Sequence, residues 1–235
     1  MKILTVLMLV ILLSLSMHMI LAVPGGPTVV SSDTETVTPK PAANITTAGG
    51  SFTTLILNAT TQTDQWKAYV GNITGSITLD DADNNTIYDW ALATITGEVY
   101  ASRNNNINWT NIQCADAATI AAEDVALSHD PGEEVSINRT FVGSTHESFI
   151  VSGINITQSD CQAIATYVND SAQSAGLANL FQEVLLEDGD SMIYATILEQ
   201  NQQGYDLRNF DFQMIVAEDE TSGSPTTYWF YAELG

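Results

Sequence analysis

The feature that most constrains this chain is its start. After Lys2, the run from Ile3 to Ala22 is apolar except for Thr5, Ser14, Ser16 and His18. Such a run is the core of an export signal, and it sends the rest of the chain into an oxidising, glycan-adding compartment. Its length approaches the roughly 20 residues that span a bilayer, so residues 1–22 read either as a signal peptide cut after Ala22 or as a retained N-terminal anchor. Lys2 keeps the amino terminus inside, and the remainder is expected outside, extracellular or on the cell surface. The membrane is then touched only through this segment, and only if it is uncleaved.

Residues 23–51, from Val23 to Ser51, are rich in Pro, Thr, Gly and Ser and hold little that can be buried. They read as a flexible linker or stalk that holds the body away from a membrane or wall, or simply as a disordered tail. Residues 52–235 suit one domain with a substantial core. The whole chain's 28 acidic and 6 basic residues give a formal charge of -22. That field repels nucleic acid and anionic lipid surfaces, leaving cations, neutral glycans, other surface proteins or copies of the chain itself as partners. Acidity with so little Lys also resembles adaptation to high salt.

Strand signals recur through the body. Phe52 to Leu57, Trp66 to Leu79 and Ile87 to Tyr100 are β-branched and aromatic, the last broken by Gly97. Gln182 to Leu186 and Met192 to Leu198 flank Asp188-Gly189, a strong hairpin cue. Phe210 to Val216 and Thr226 to Leu234 read as a second hairpin. Cys114 to Leu127 is Ala-rich with Ala118, Ala121, Ala122 and Val125 near helical spacing, which predicts one short helix. Many strands and no βαβ alternation predict a mostly β fold, an antiparallel β-sandwich with that single helix.

Eight Asn-x-Ser/Thr sequons occur, at Asn44, Asn58, Asn72, Asn84, Asn108, Asn138, Asn155 and Asn169. Random placement predicts about 3, so the excess points to N-glycosylation, although an Asn- and Thr-rich composition also raises the number. Some are expected to be silent if strand positions bury them. Cys114 and Cys161 are the only cysteines, and after an export signal an even number reads as one disulfide rather than two buried thiols.

Asp81, Asp83, Asn85 and Asp89 follow D-x-D-x-N-x-x-x-D, a spacing that suits calcium as a metal ligand set. Thr86 stands where such loops carry Gly, Leu92 where they carry Glu, and a glycan on Asn84 would crowd the ion. The same residues read equally as a solvated acidic turn.

No catalytic motif emerges. His146-Glu147 lacks the second imidazole of a zinc site, and nucleophile elbows and phosphate loops are missing from the sequence. Pairs such as Glu133-Glu134 and Glu187-Asp188 are expected in so acidic a chain. Trp66, Trp90, Trp109 and Trp229 are expected in the core more than on a sugar-stacking platform.

The stretches Thr96 to Asn104, His146 to Val151 and Asp211 to Val216 resemble uncharacterised exported proteins of archaea. That resemblance implies a surface or envelope role and supplies no catalytic residue. The expected function is therefore a non-enzymatic structural or adhesive surface protein, an envelope or filament subunit. A secreted glycan-binding module is the alternative, and a secreted hydrolase with an unidentified carboxylate site comes second.

Overall fold

The computed structural model of the chain describes residues 23–219, 221 and 223–235. The leader at residues 1–22 lies outside them. Among the described residues, fourteen strands and two helices follow one another as β1 Trp66–Gly71, β2 Ser76–Asp80, β3 Thr86–Ala91, β4 Gly97–Ser102, β5 Gln113–Cys114, α1 Ala117–Ala126, α2 Ile137–Thr140, β6 Phe149–Val151, β7 Ile154–Ile156, β8 Ala163–Ala165, β9 Gln182–Glu187, β10 Met192–Ile197, β11 Gln202–Gln203, β12 Asn209–Phe210, β13 Phe212–Ala217 and β14 Trp229–Leu234. Every ladder is antiparallel. The mostly β, antiparallel class is as expected, with a one-turn second helix added.

The core is a sheet in the order β14-β4-β10-β9-β5, with β8 also paired to β9. Strands β9 and β10 form the anticipated hairpin. Gly189 takes φ 97° in its turn, and Asp188 Oδ1 accepts from Asp190 N at 3.1 Å and Ser191 N at 2.8 Å. Both faces of the sheet are covered. On one, Ala101, Leu185, Met192 and Tyr194 pack with Ile120 and Leu127 of the α1 region, Phe141, and Met214, Val216 and Ala217 of β13. On the other, Tyr100, Val184, Leu186, Ile193 and Ala195 meet Trp109, Ile112 and the β6-β7 hairpin. Double coverage explains why β9 and β10 read as apolar runs instead of alternating.

Helix α1 starts where Asp116 Oδ1 accepts from Ala118 N and Thr119 N, both at 2.8 Å, which satisfies amides the helix cannot. Its Asp124, fully buried, accepts from Ile137 N at 2.7 Å and so caps α2 in turn. The disulfide joins Cys114 and Cys161. It ties the end of β5 to the approach to β8, the two short strands that flank the same side of β9.

Several sequence expectations are corrected. Trp66 to Leu79 is two strands, β1 and β2, whereas Ile87 to Tyr100 falls into two short strands, β3 and the first part of β4, as a break at Gly97 allows. Gly97 opens β4 at φ 119°, where a Cβ would meet Glu233 O at 2.0 Å, so only glycine fits. Strands β13 and β14 are not a hairpin: β13 pairs with β1 and β14 with β4. Their polar connection is long enough to carry the chain from one layer to another, a choice that local pattern does not encode.

Thr28–Thr63 forms a unit of its own. It has no strand or helix, so Phe52 to Leu57, expected as a strand, joins no ladder. The stalk expected at residues 23–51 is also different in kind. Gly25 already pairs with Ala232 of β14, through N–H···O bonds of 3.0 and 2.9 Å in the two directions, and Pro24 is buried. The described residues before Thr28 therefore pair with the body, and the chain rejoins it at Asp64.

Candidate functional site

The sequons bear first on function. Asn44, Asn58, Asn72, Asn84, Asn108, Asn138, Asn155 and Asn169 are all solvent-exposed. None of them is buried in a strand, the position expected to silence some. Asn155 lies on β7 yet points outward between the half-buried Ile154 and the buried Ile156, as strand alternation requires.

The acidic loop closes the β2-β3 hairpin. Asp81 Oδ1 accepts from Asp83 N at 2.9 Å and Asn85 N at 2.8 Å, and Asp81 Oδ2 accepts from Asn85 Nδ2 at 2.9 Å. The Asn85 side chain and amide hold the Asp81 carboxyl below its usual range. Asp89 sits down the strand, opposite Thr78. Thus Asp81 and Asn85 are brought together as turn partners, and Asp89 is not brought to them. Among the described residues no group of three or more His, Cys, Asp or Glu side chains is placed to hold a metal ion.

Two acidic sites that sequence reading missed lie in the body. Glu98 of β4 and Glu233 of β14 are cross-strand neighbours. Their Oε2 atoms each lie 3.3 Å from the Tyr100 hydroxyl, and Ser152 N donates to Glu233 at 2.9 Å. Glu98 is 6% exposed and Glu233 8%. Burial, then the neighbouring Glu233 carboxylate, pushes the Glu98 carboxyl up to about 8, and burial raises Glu233 too. The second site is a cleft of about 230 Å³ lined by Glu147, Asn179, Gln182, Ile197 and Glu199. Burial raises the Glu199 carboxyl there, with Glu147 adding to it. The Glu98 pair was hidden because 98 and 233 are far apart in sequence.

Neither histidine of the body is free for chemistry. Cys161 N donates to His146 Nε2 at 3.1 Å, which leaves the ring proton on Nδ1, 2.6 Å from Glu147 O. His129 Nε2 lies 2.7 Å from Glu218 O, and its Nδ1 is 3.4 Å from the Asp124 carboxylate without hydrogen-bond geometry.

The tryptophans divide. Trp109 is buried, and Trp66 is half-buried with its Nε1 donating to Val135 O at 2.6 Å. Trp90 and Trp229 are about half exposed. On the β2-β3 hairpin, register places Ile77 opposite Trp90 and Leu79 opposite Tyr88, so the four share one face. Tyr88 and Trp90 meet edge to face at 4.9 Å. This is not a coplanar sugar platform.

Sheet edges are mostly closed. The Gln65 carbonyl accepts from Glu218 N at 2.7 Å, which fixes the alternation of the β1-β13 ladder and turns the main chain of Gln213, Ile215 and Ala217 outward on β13. Side chains cap each of them. Thr196 Oγ1 donates to Gln213 O at 2.9 Å, Ile215 N donates to Glu183 Oε2 at 2.9 Å, and the Tyr228 hydroxyl donates to Ala217 O at 2.8 Å. Gly25 covers the middle of β14, and Gly143 covers Ala163 of β8. On β1 the outward groups belong to Trp66, Ala68 and Val70, and none has a main-chain partner among the described residues.

The chain matches no family model, no curated protein and no solved structure. No helix among the described residues is long and apolar enough to cross a membrane.

Proposed function

We propose that this protein is exported and acts outside the membrane as an N-glycosylated structural subunit of a cell-surface layer or filament, by assembly rather than catalysis. The observation that carries this reading is the exposure of all eight sequon asparagines, which leaves every acceptor accessible to a glycosyltransferase. The disulfide supports an oxidising destination. The apolar leader supplies the route, and the resemblance to exported archaeal proteins agrees with it. Partners are other surface proteins or further copies of this chain, recognised through strand edges and the apolar face of the β2-β3 hairpin.

Intact mass of the native product, with sequencing of its amino terminus, tests this. The expected result is a chain that starts near Val23 and exceeds the polypeptide mass by several glycans. A product of unmodified polypeptide mass, recovered from the cytoplasm, removes the reading.

A further inference from the structure

We propose that Phe52–Leu57 of one copy adds as a strand along the outer edge of β1, Trp66–Gly71, in a second copy. This rests on the assembly reading above and names its partner and its contact. The donor is a strand in every respect but pairing. It joins no ladder and exposes Phe52 completely, Ile56 at 96% and Leu57 at 78%. Its side chains alternate Phe52, Thr54, Ile56 against Thr53, Leu55, Leu57, a β-prone set without Pro or Gly. Short uncharged segments of this kind pair readily when an edge is offered.

Charge singles out the same stretch. In a chain of net charge -22, no charged side chain occurs from Pro41 to Thr63. The donor can approach another acidic copy without adding to the repulsion between them. The sequons at Asn44 and Asn58 bracket the strand and leave it bare of glycan. Tethered at both Pro27 and Asp64, the donor can stand off its own body by at most the seven residue steps from Leu57 to Asp64, roughly 23 Å at about 3.3 Å per residue, so it can meet only a directly adjoining body.

The acceptor is sought among the edges of the longer strands. The outward residues of β13 each meet a side chain, and Gly25 sits across the middle of β14. The β2-β3 hairpin carries the protections usual at exposed edges: a register shift at Leu79/Asp80, four aspartates at positions 80, 81, 83 and 89, and a sequon at its tip. Strand β1 has no register shift and no aspartate, its nearest sequon, Asn72, lies beyond its last residue, and its six residues match the six of the donor. Because donor and acceptor are different surfaces of one chain, the contact is head to tail and repeats into an open filament.

Mixing experiments on the mature exported chain decide it, in about 1 M salt, where screening shortens electrostatic reach to about 3 Å. The wild type is expected to sediment as a series of oligomers. Thr54→Pro disables only the donor and Ala68→Pro only the acceptor, since the Ala68 N–H points outward and is not needed within the copy. Each alone should be monomeric, and an equimolar mixture should stop at heterodimers, with one working contact and two dead ends. If Ala68→Pro does not fold, a peptide spanning Ser51–Asn58 replaces it. Bound to the Thr54→Pro chain, the peptide should slow hydrogen exchange at Trp66, Ala68 and Val70 by tenfold or more. A monomeric wild type, assembly that survives both prolines, a mixture that stays monomeric because the strand pairs within its own chain, or protection on β2-β3 instead of β1 each overturns the proposal. Those results leave the glycan and mass test of export untouched, so the two readings fail separately.

Discussion

Glu98 and Glu233 stand directly opposite each other on neighbouring strands, two carboxyls turned to one hydroxyl, that of Tyr100. Like charges so placed repel, and burial raises both above the ordinary carboxyl range. The pair holds a proton in the folded chain that the unfolded chain releases.

That proton makes the fold less stable as pH rises. Glu98 lies near 4.5 unfolded and about 8 folded, so its contribution is complete below pH 4.5 and is lost as pH rises to 8. Melting temperature should fall across this window. Glu98→Gln should match the wild type near pH 4.5 and exceed it at pH 9, by about 1–3 kcal/mol in urea unfolding. Parallel pH profiles for the two proteins would show that the pair shares no proton.

Cys114 and Cys161 close a loop with a sequence separation of 47. Cys114→Ser, or reduction, should lower stability by roughly 4 kcal/mol if the constraint acts on the unfolded chain. Because the bond flanks β9, hydrogen exchange should rise first at β5 and β8. Recovery of two free thiols from the native product by peptide mapping would contradict the pairing.

Asp124→Ala should destabilise by about 2–4 kcal/mol, since it strips the buried Ile137 amide of its acceptor and breaks the link between the two helices. Asp124→Asn keeps one accepting oxygen and should lose less. Denaturant midpoints of the two variants separate a lost bond from a lost charge.

Asp81→Ala should weaken the β2-β3 turn, seen as faster hydrogen exchange at its amides, because the Asp83 and Asn85 amides and the Asn85 side chain all donate to its carboxylate. Calcium and sodium at equal ionic strength should shift the wild-type melting temperature equally, the turn already using the Asp81 oxygens. A larger shift with calcium, abolished by Asp83→Ala, would restore the metal reading.

Local pattern carried far in this sequence. The Asp188-Gly189 hairpin, the Ala-rich helix, the cysteine pair and the break at Gly97 all follow from backbone preference or simple counting, and each stands in the structure. The features that stayed hidden depend on which strand meets which. Nothing near Phe212 announces that β13 will pair with β1, and nothing near Glu98 announces Glu233. Phe52–Leu57 shows the converse: its residues have every local trait of a strand, and the fold leaves it without a ladder.

The pairing of Gly25 with Ala232 also resets the geometry of attachment. Were the apolar run ending at Ala22 kept as an anchor, the leash between bilayer and folded body would be three residue steps, about 10 Å. The residues that look like a stalk would instead make a closed loop, tethered at both ends to one body.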